Sequence, residues 1–244
     1  MCTVASNQYA LAPQTDASIS LYADMLGESS LLLSGLDTVE LQALLILASR
    51  RPVKARKVVC KKGEPGHELF IVLSGKLKIC TSSGDGKEAI LGLIEDGEIF
   101  GEMALIDGQA RSADVIALED THLLVIHRND FLPFLETHPK ACMGLLMAMT
   151  QRLRKMDALI EDSRFLDLKD RLAKTLGQLA QEHGRTVAGG GVRIDFKISQ
   201  EELGSLVGAT RENVNKLIRA WVEDGVLETS QSTLIIRQPN RLHA

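Results

Sequence analysis

Residues 198–218 read ISQEELGSLVGATRENVNKLI, and this stretch decides the fold of the C-terminal part of the chain. Ser199, Gln200, Glu201 and Glu202 form an S-x-x-E capping box, in which the serine and the glutamate satisfy backbone amides left free at a helix start. The helix runs to Val207, Gly208 supplies the turn, and Thr210 caps the next helix. Two short helices joined through a glycine are a helix-turn-helix signature. In the second helix, at about 100° per residue, Val214, Leu217, Ile218 and Trp221 share one arc. Arg211, Glu212, Asn215, Lys216 and Arg219 occupy the opposite arc. Arginine forks onto guanine O6 and N7, glutamate accepts from cytosine N4, asparagine pairs with adenine, and lysine reaches guanine or phosphate. A solvated helix face is the plain alternative. The capped helix before it and the hairpin after it, residues 227–229 and 233–236 about the turn 230–232, favour a winged DNA reader.

Upstream, residues 165–183 carry Leu166, Leu168, Leu172, Leu176 and Leu179 at helical spacing, followed by Gly189, Gly190 and Gly191, which mark a flexible connection. Further back, Cys142, Leu146, Met149, Leu153, Met156 and Ile160 recur at spacings of four and three, with Gln151, Arg152, Arg154 and Lys155 beside them. That is a heptad seam, read as a dimerisation helix over 139–164; a helix packed on its own domain is the alternative. Residues 53–126 change texture, to short β-rich runs at 57–60, 69–73, 77–80, 89–94 and 123–126. Glycines 63, 66, 75, 84, 86 and 97 separate them, as in a compact antiparallel barrel or roll. Residues 37–49, with Leu41, Leu44, Leu45 and Leu47 behind Asp37, read as a short helix. Residues 1–28 read as a polar, mobile tail with room for one short helix.

The 244 residues suit two domains, and 45% hydrophobic with 25% charged residues is ordinary soluble usage. No apolar run suits a membrane span and no secretory signal opens the chain, so a cytoplasmic protein is expected. Cys2, Cys60, Cys80 and Cys142 form no CxxC or His-x-Cys pattern; reduced thiols are expected, with no metal and no iron–sulfur cluster. The net charge of −4 is uneven, since residues 168–244 hold 11 Lys and Arg against 9 Asp and Glu. No GxGxxG or P-loop appears and no segment is left to house a catalytic domain, so no enzyme is expected.

Two blocks, GEIFGEMALIDGQARSADV at 97–115 and ISQEELGSLVGATRENVNKLI at 198–218, resemble the cyclic-AMP receptor protein/FNR family of bacterial regulators. The resemblance covers nearly the whole chain after residue 30. It implies an α+β fold in four parts: tail 1–28, nucleotide-binding β-roll 29–138, dimerisation helix 139–164 and winged helix-turn-helix 165–244. It also implies an allosteric homodimer on a palindromic double-stranded DNA site, with RNA polymerase as a partner, no membrane, and no cofactor beyond an effector. The first block is then the phosphate-binding cassette. Gly101, Glu102 and Met103 open a one-turn helix, Glu102 accepts the ribose 2′-hydroxyl, and Arg111 pairs with the cyclic phosphate beside Ser112 and the Ala113 amide. A mutual Glu102–Arg111 surface salt bridge is the rival reading.

Counting back from Phe165, Leu166 and Asp167, Met156 and Asp157 stand where the cyclic-AMP receptor has the Thr and Ser that contact adenine. Met156 lacks the hydroxyl; it falls on the seam, leaving Asp157 to face the pocket mouth. An acceptor there takes one bond from adenine N6 but two from guanine N1 and N2, so base identity stays open. The effector implied is cyclic AMP, with cyclic GMP, cyclic di-GMP, another signal or ligand-free activity as alternatives. The DNA contacts implied are Ser199, Thr210, Arg211, Glu212, Asn215, Lys216 and Arg219. Lys216 replaces a family arginine and lacks its planar fork.

Overall fold

The computed structural model describes residues 26, 30–33, 35–84, 86–187, 190–195, 198–230 and 233–242. The tail expected over 1–28 falls, apart from Leu26, outside the described residues. The chain divides into two compact units, one built on residues up to Thr81 and Leu91–Arg154, the other on Ser82–Ile90 and Lys155 onward.

In the first unit, α1 (Thr38–Ile46) opens on a capping box: Asp37 accepts from the Glu40 amide and Glu40 from the Asp37 amide. The helix ends before Ser49, because residues 49–53 are drawn into a strand. The strands are β1 (Ser49–Val53), β2 (Val58–Cys60), β3 (Glu68–Ser74), β4 (Leu77–Ser82), β5 (Glu88–Ile94), β6 (Ile99–Phe100), β7 (Asp114–Ala117) and β8 (Thr121–His127). Helix α2 (Glu102–Asp107) lies between β6 and β7, and α3 (Arg128–Thr137) and α4 (Pro139–Phe165) follow β8.

Two four-stranded sheets form, in the orders β1-β8-β3-β6 and β2-β7-β4-β5. Successive strand side chains point to opposite faces, and β3 uses both. Leu69, Ile71 and Leu73 join Leu41, Leu44, Leu45, Phe131, Phe134 and Leu145 in a core beneath the helices. Phe70 and Val72 join Cys60, Leu77, Ile94 and Val115 in a second core between the sheets. This is a roll of two sheets with a helical layer on one face.

The second unit contains α5 (Leu168–His183), β9 (Gly184–Thr186), β10 (Val192–Ile194), α6 (Gln200–Val207), α7 (Arg211–Glu223), β11 (Leu227–Ser230) and β12 (Thr233–Ile236). The helix expected over 165–183 starts later, because Asp167 is extended (φ −72°, ψ 175°) and caps α5 by accepting from the Asp170 amide. Phe165 instead ends α4. Of the glycine run, Gly189 lies outside the described residues; β9 and β10 pair in antiparallel fashion, with the Val187 amide bonded to the Gly191 carbonyl, so Gly190 and Gly191 belong to a hairpin rather than a loose connection. The sheet order is β11-β12-β10-β9, and Leu172, Leu176, Leu203, Val214, Ile218 and Trp221 are buried in this unit. No helix among the described residues is long and apolar enough to cross a membrane.

Candidate nucleotide pocket and DNA-reading face

The first unit contains a cavity open to solvent between β6, α2 and the segment entering β7. The chain enters it at Gly101, whose φ of 83° is left-handed. A Cβ there would lie 2.6 Å from the Arg111 Nη1 and 2.9 Å from the Glu68 carbonyl oxygen. Glycine is what lets Arg111 lie against the backbone.

Arg111 is 9% exposed. It donates from Nη1 to the Gly101 carbonyl and from Nη2 to the Glu68 carbonyl, both at 2.8 Å, and sits 5.6 Å from the centre of the Phe70 ring. Phe70 in turn stacks on Phe100 at 4.7 Å. A guanidinium held by two carbonyls in this way is fixed in direction, and Arg111 lines the cavity.

Glu102 does not pair with Arg111. Its side chain is 3% exposed, and Oε1 accepts from Arg152 Nη1 at 2.5 Å, while Arg152 Nη2 donates to the Ile99 carbonyl at 2.8 Å. Glu102 Oε2 is buried without a hydrogen-bond partner among the described residues. Such an oxygen is costly to leave unpaired. The sequence reading missed Arg152, whose only signal was its place among the polar residues beside the seam.

Gly101, Glu102, Met103, Arg111, Ser112 and Ala113 all line this cavity, with Arg152. Met103 is at the exposed rim, and its sulfur lies 3.7 Å from Ser112 Oγ. Asp114 accepts from the Lys62 amide and from Lys61 Nζ, pinning the strand that follows the cassette. Cys60, Ile79, Phe100 and Val115 make the apolar wall. Burial pushes the Cys60 thiol up to about 11, so it stays protonated at neutral pH.

On α4, Leu146, Met149, Leu153, Met156 and Ile160 are 37–59% exposed, and the helix buries only Ala141, Gly144 and Leu145. Among the described residues of one chain this stripe is therefore not packed on its own domain. Cys142, expected on the stripe, is instead half-buried, donating to the Leu135 carbonyl. Around the helix axis, with Arg152 at zero, Met156 lies at about 40° and Asp157 at about 140°. Leu153 and Ile160 fall between them. Met156 thus shares the edge of Arg152, whereas Asp157 lies on the opposite flank of the stripe. Both are exposed.

In the second unit, Ser199 accepts from the Glu202 amide and donates to Glu202 Oε2 at 2.7 Å, and Thr210 accepts from the Asn213 amide. Both hydroxyls are engaged as helix caps. Gly208 closes α6 in the left-handed conformation. Along α7, Val214, Ile218 and Trp221 are buried while Arg211, Glu212, Lys216 and Arg219 are exposed and Asn215 is half-exposed. Among the described residues, none of these five polar side chains is bonded to another. A helix with an anchored apolar face and an unpaired polar face of guanine-, cytosine- and adenine-compatible groups can read a major groove.

Residues 50–138 match the cyclic nucleotide-binding domain family, and residues 170–244 match the Crp-like helix-turn-helix domain family. The chain is 33% identical, over 75% of its length and 82% of the relative's, to the CRP-like cAMP-activated global transcriptional regulator of Mycobacterium tuberculosis. It is 32% identical to the cyclic AMP receptor protein of Thermus thermophilus, over 86% of this chain and 94% of that one. Among solved structures it is similar to the c-di-GMP responsive global regulator CLP of Xanthomonas campestris. That match has a TM-score of 0.75 at 26% identity, over 82% of this chain and 99% of that one. The chain belongs to the cyclic-AMP receptor protein/FNR family, whose members are transcription regulators rather than enzymes, and it carries that family's cyclic nucleotide-binding and helix-turn-helix domains.

Proposed function

We propose that this protein is a homodimeric, cytoplasmic transcription regulator that binds a palindromic DNA site when a cyclic mononucleotide, cyclic AMP first, occupies the cavity. The observation that carries the reading is the pairing of a buried, unpartnered acceptor, Glu102 Oε2, with a buried guanidinium, Arg111, in one cavity. A ribose hydroxyl donates to the first. A cyclic phosphate accepts from the second, from Ser112 Oγ and from the Ala113 amide.

Charge favours the same ligand. The lining holds one carboxylate, Glu102, and two guanidinium groups, Arg111 and Arg152, an excess of one positive charge. A cyclic mononucleotide brings one negative charge and balances it, whereas a cyclic dinucleotide brings two. Cyclic di-GMP is the second reading, supported by the effector of the Xanthomonas relative; cyclic GMP is the third, supported by the acceptor Asp157.

In this reading residues 1–28 are a tail, 29–138 the sensor, 139–164 the dimer helix, and 165–244 the DNA-binding domain. The exposed stripe of α4 meets its copy, and Arg211, Glu212, Asn215, Lys216 and Arg219 face bases or phosphates, with Ser199 and Thr210 at the helix starts beside the backbone. Met156 and Asp157 flank the bound base, and RNA polymerase is the downstream partner. Calorimetric titration with cyclic AMP, cyclic GMP and cyclic di-GMP tests the proposal, with Arg111→Ala as control. Binding of cyclic AMP that the control loses supports it; no heat with any of the three overturns it.

A further inference from the structure

The chain leaves α4 at Phe165 and enters α5 at Leu168, turning through Leu166 and Asp167. Helix ends leave carbonyls without intrahelical partners, and a two-residue link between helices is a natural place to flex. This link is held from outside. Arg171, half-buried on α5, donates from Nη1 to the Leu166 carbonyl at 2.8 Å and from Nε to the Val207 carbonyl at 3.0 Å. The first acceptor is the residue after α4, and the second is the last residue of α6, the opening helix of the helix-turn-helix.

Three residues on, Lys174 Nζ pairs with Asp162, in the last turn of α4, at 2.7 Å. Positions i and i+3 share a helix face, so α5 presents two cations to the C-terminal end of α4, where the helix dipole also favours positive charge. The amide of Arg171 bonds the Asp167 carbonyl, and Asp167 caps α5. The link is therefore tied on both sides.

We infer that Arg171 is a positioning residue: its guanidinium clamps the end of α4 to the end of α6, so the last turn of α4, α5 and the helix-turn-helix move as one body. Only a guanidinium offers two rigidly spaced donors to two separate carbonyls; an ammonium is a single point charge. The role in gating rests on the proposed function, in which α4 responds to the ligand. The clamp itself does not.

The test uses full-length wild type, Arg171→Met and Arg171→Lys. Trypsin cuts after Arg164 and Lys169, which bracket the link. Loss of the two charge-assisted bonds raises cleavage there by about tenfold in Arg171→Met, less in Arg171→Lys, with cleavage after Arg56 unchanged. In the same proteins the ratio of DNA affinities with and without cyclic AMP falls towards one in Arg171→Met, while its cyclic AMP affinity stays at the wild-type value. Unchanged cleavage at the link overturns the clamp, and so does a rise at every site, which marks a general stabiliser. A wild type whose DNA affinity ignores cyclic AMP overturns the gating reading, and the cleavage result still decides the clamp.

Discussion

Replacing Arg152 by glutamine removes two bonds from one side chain: Nη1 to Glu102 Oε1 at 2.5 Å and Nη2 to the Ile99 carbonyl at 2.8 Å. The pair is lopsided, since the Glu102 side chain is 3% exposed and that of Arg152 34%. Removing one partner of a buried pair costs about 3–5 kcal/mol, because a buried charge is left unmatched. The open cavity and the exposed half of Arg152 let water relieve part of this, so the expected loss is near the low end, about 3 kcal/mol. At about 2–4 °C per kcal/mol for a chain of this size, Tm falls by roughly 6–12 °C. Glu102→Gln leaves a neutral amide facing Arg152 and costs less, about 1–2 kcal/mol. The double variant strands no charge, so its loss is smaller than the two single losses together by at least about 1 kcal/mol. Urea unfolding of the four proteins at pH 7 without nucleotide measures the cycle. Losses that add within about 0.5 kcal/mol would refute the pair as an energetic link between α2 and α4.

Arg211→Ala relaxes preference at one guanine of each half-site by about 1–3 kcal/mol, read by selection from random DNA; a selected motif without two-fold symmetry refutes the dimeric reader. Met156→Asp places a carboxylate in each copy of the exposed stripe, so the dimer dissociates at lower concentration in sedimentation; an unchanged dimer removes α4 as the interface. The bidentate Arg51–Glu68 pair, at 2.6 and 2.9 Å, holds the Glu68 carboxyl below its ordinary value of 4.5. A lowered folded value means that the unfolded chain takes up the proton first, so this stabilisation is full above pH 4.5 and fades as pH falls through the lowered folded value. Urea midpoints at pH 6 and pH 3.5 should therefore drop further in wild type than in Glu68→Gln, and equal drops contradict the assignment.

The elements legible in the sequence are those whose signal is local. The cap at Asp37, the capping box at Ser199 and the apolar run of β3 are written within a few residues, and each is found. The strands β1, β6, β7, β9 and β10 were not legible, because β1 contains Pro52, β6 spans only Ile99–Phe100, and the others gain their identity from partners. Helix α3 carries Pro133, which interrupts a helical pattern. In the pocket, the cassette residues lie within 97–115 and could be read together. Arg152 is 50 residues from Glu102, and no spacing rule connects them. Orientation on α4 is not legible for another reason: the heptad places a residue relative to the seam, not relative to a cavity on one side of it, and only the position of Arg152 supplies that second bearing.

That bearing also bounds how a small ligand moves a long helix. Arg152 marks one edge of α4, and the exposed stripe begins about 40° away, so a contact that turns the helix at the cavity turns the stripe as well. At a side-chain radius of about 5–6 Å, a 20° turn shifts the stripe by about 2 Å. A ligand moves an equilibrium only by its differential contacts, and taking a population from 1:99 to 99:1 needs about 5.5 kcal/mol. If the ligand competes for Glu102 and Arg152, one pair cannot supply this alone, since even the cost of stranding its buried charge is only about 3 kcal/mol. In the proposed dimer both copies of the stripe share one seam and must turn together. Two sites would then act on one equilibrium, so the proposed dimer would do more than set two reading helices at the spacing of the DNA: it would double the free energy each conformational step can draw from the nucleotide.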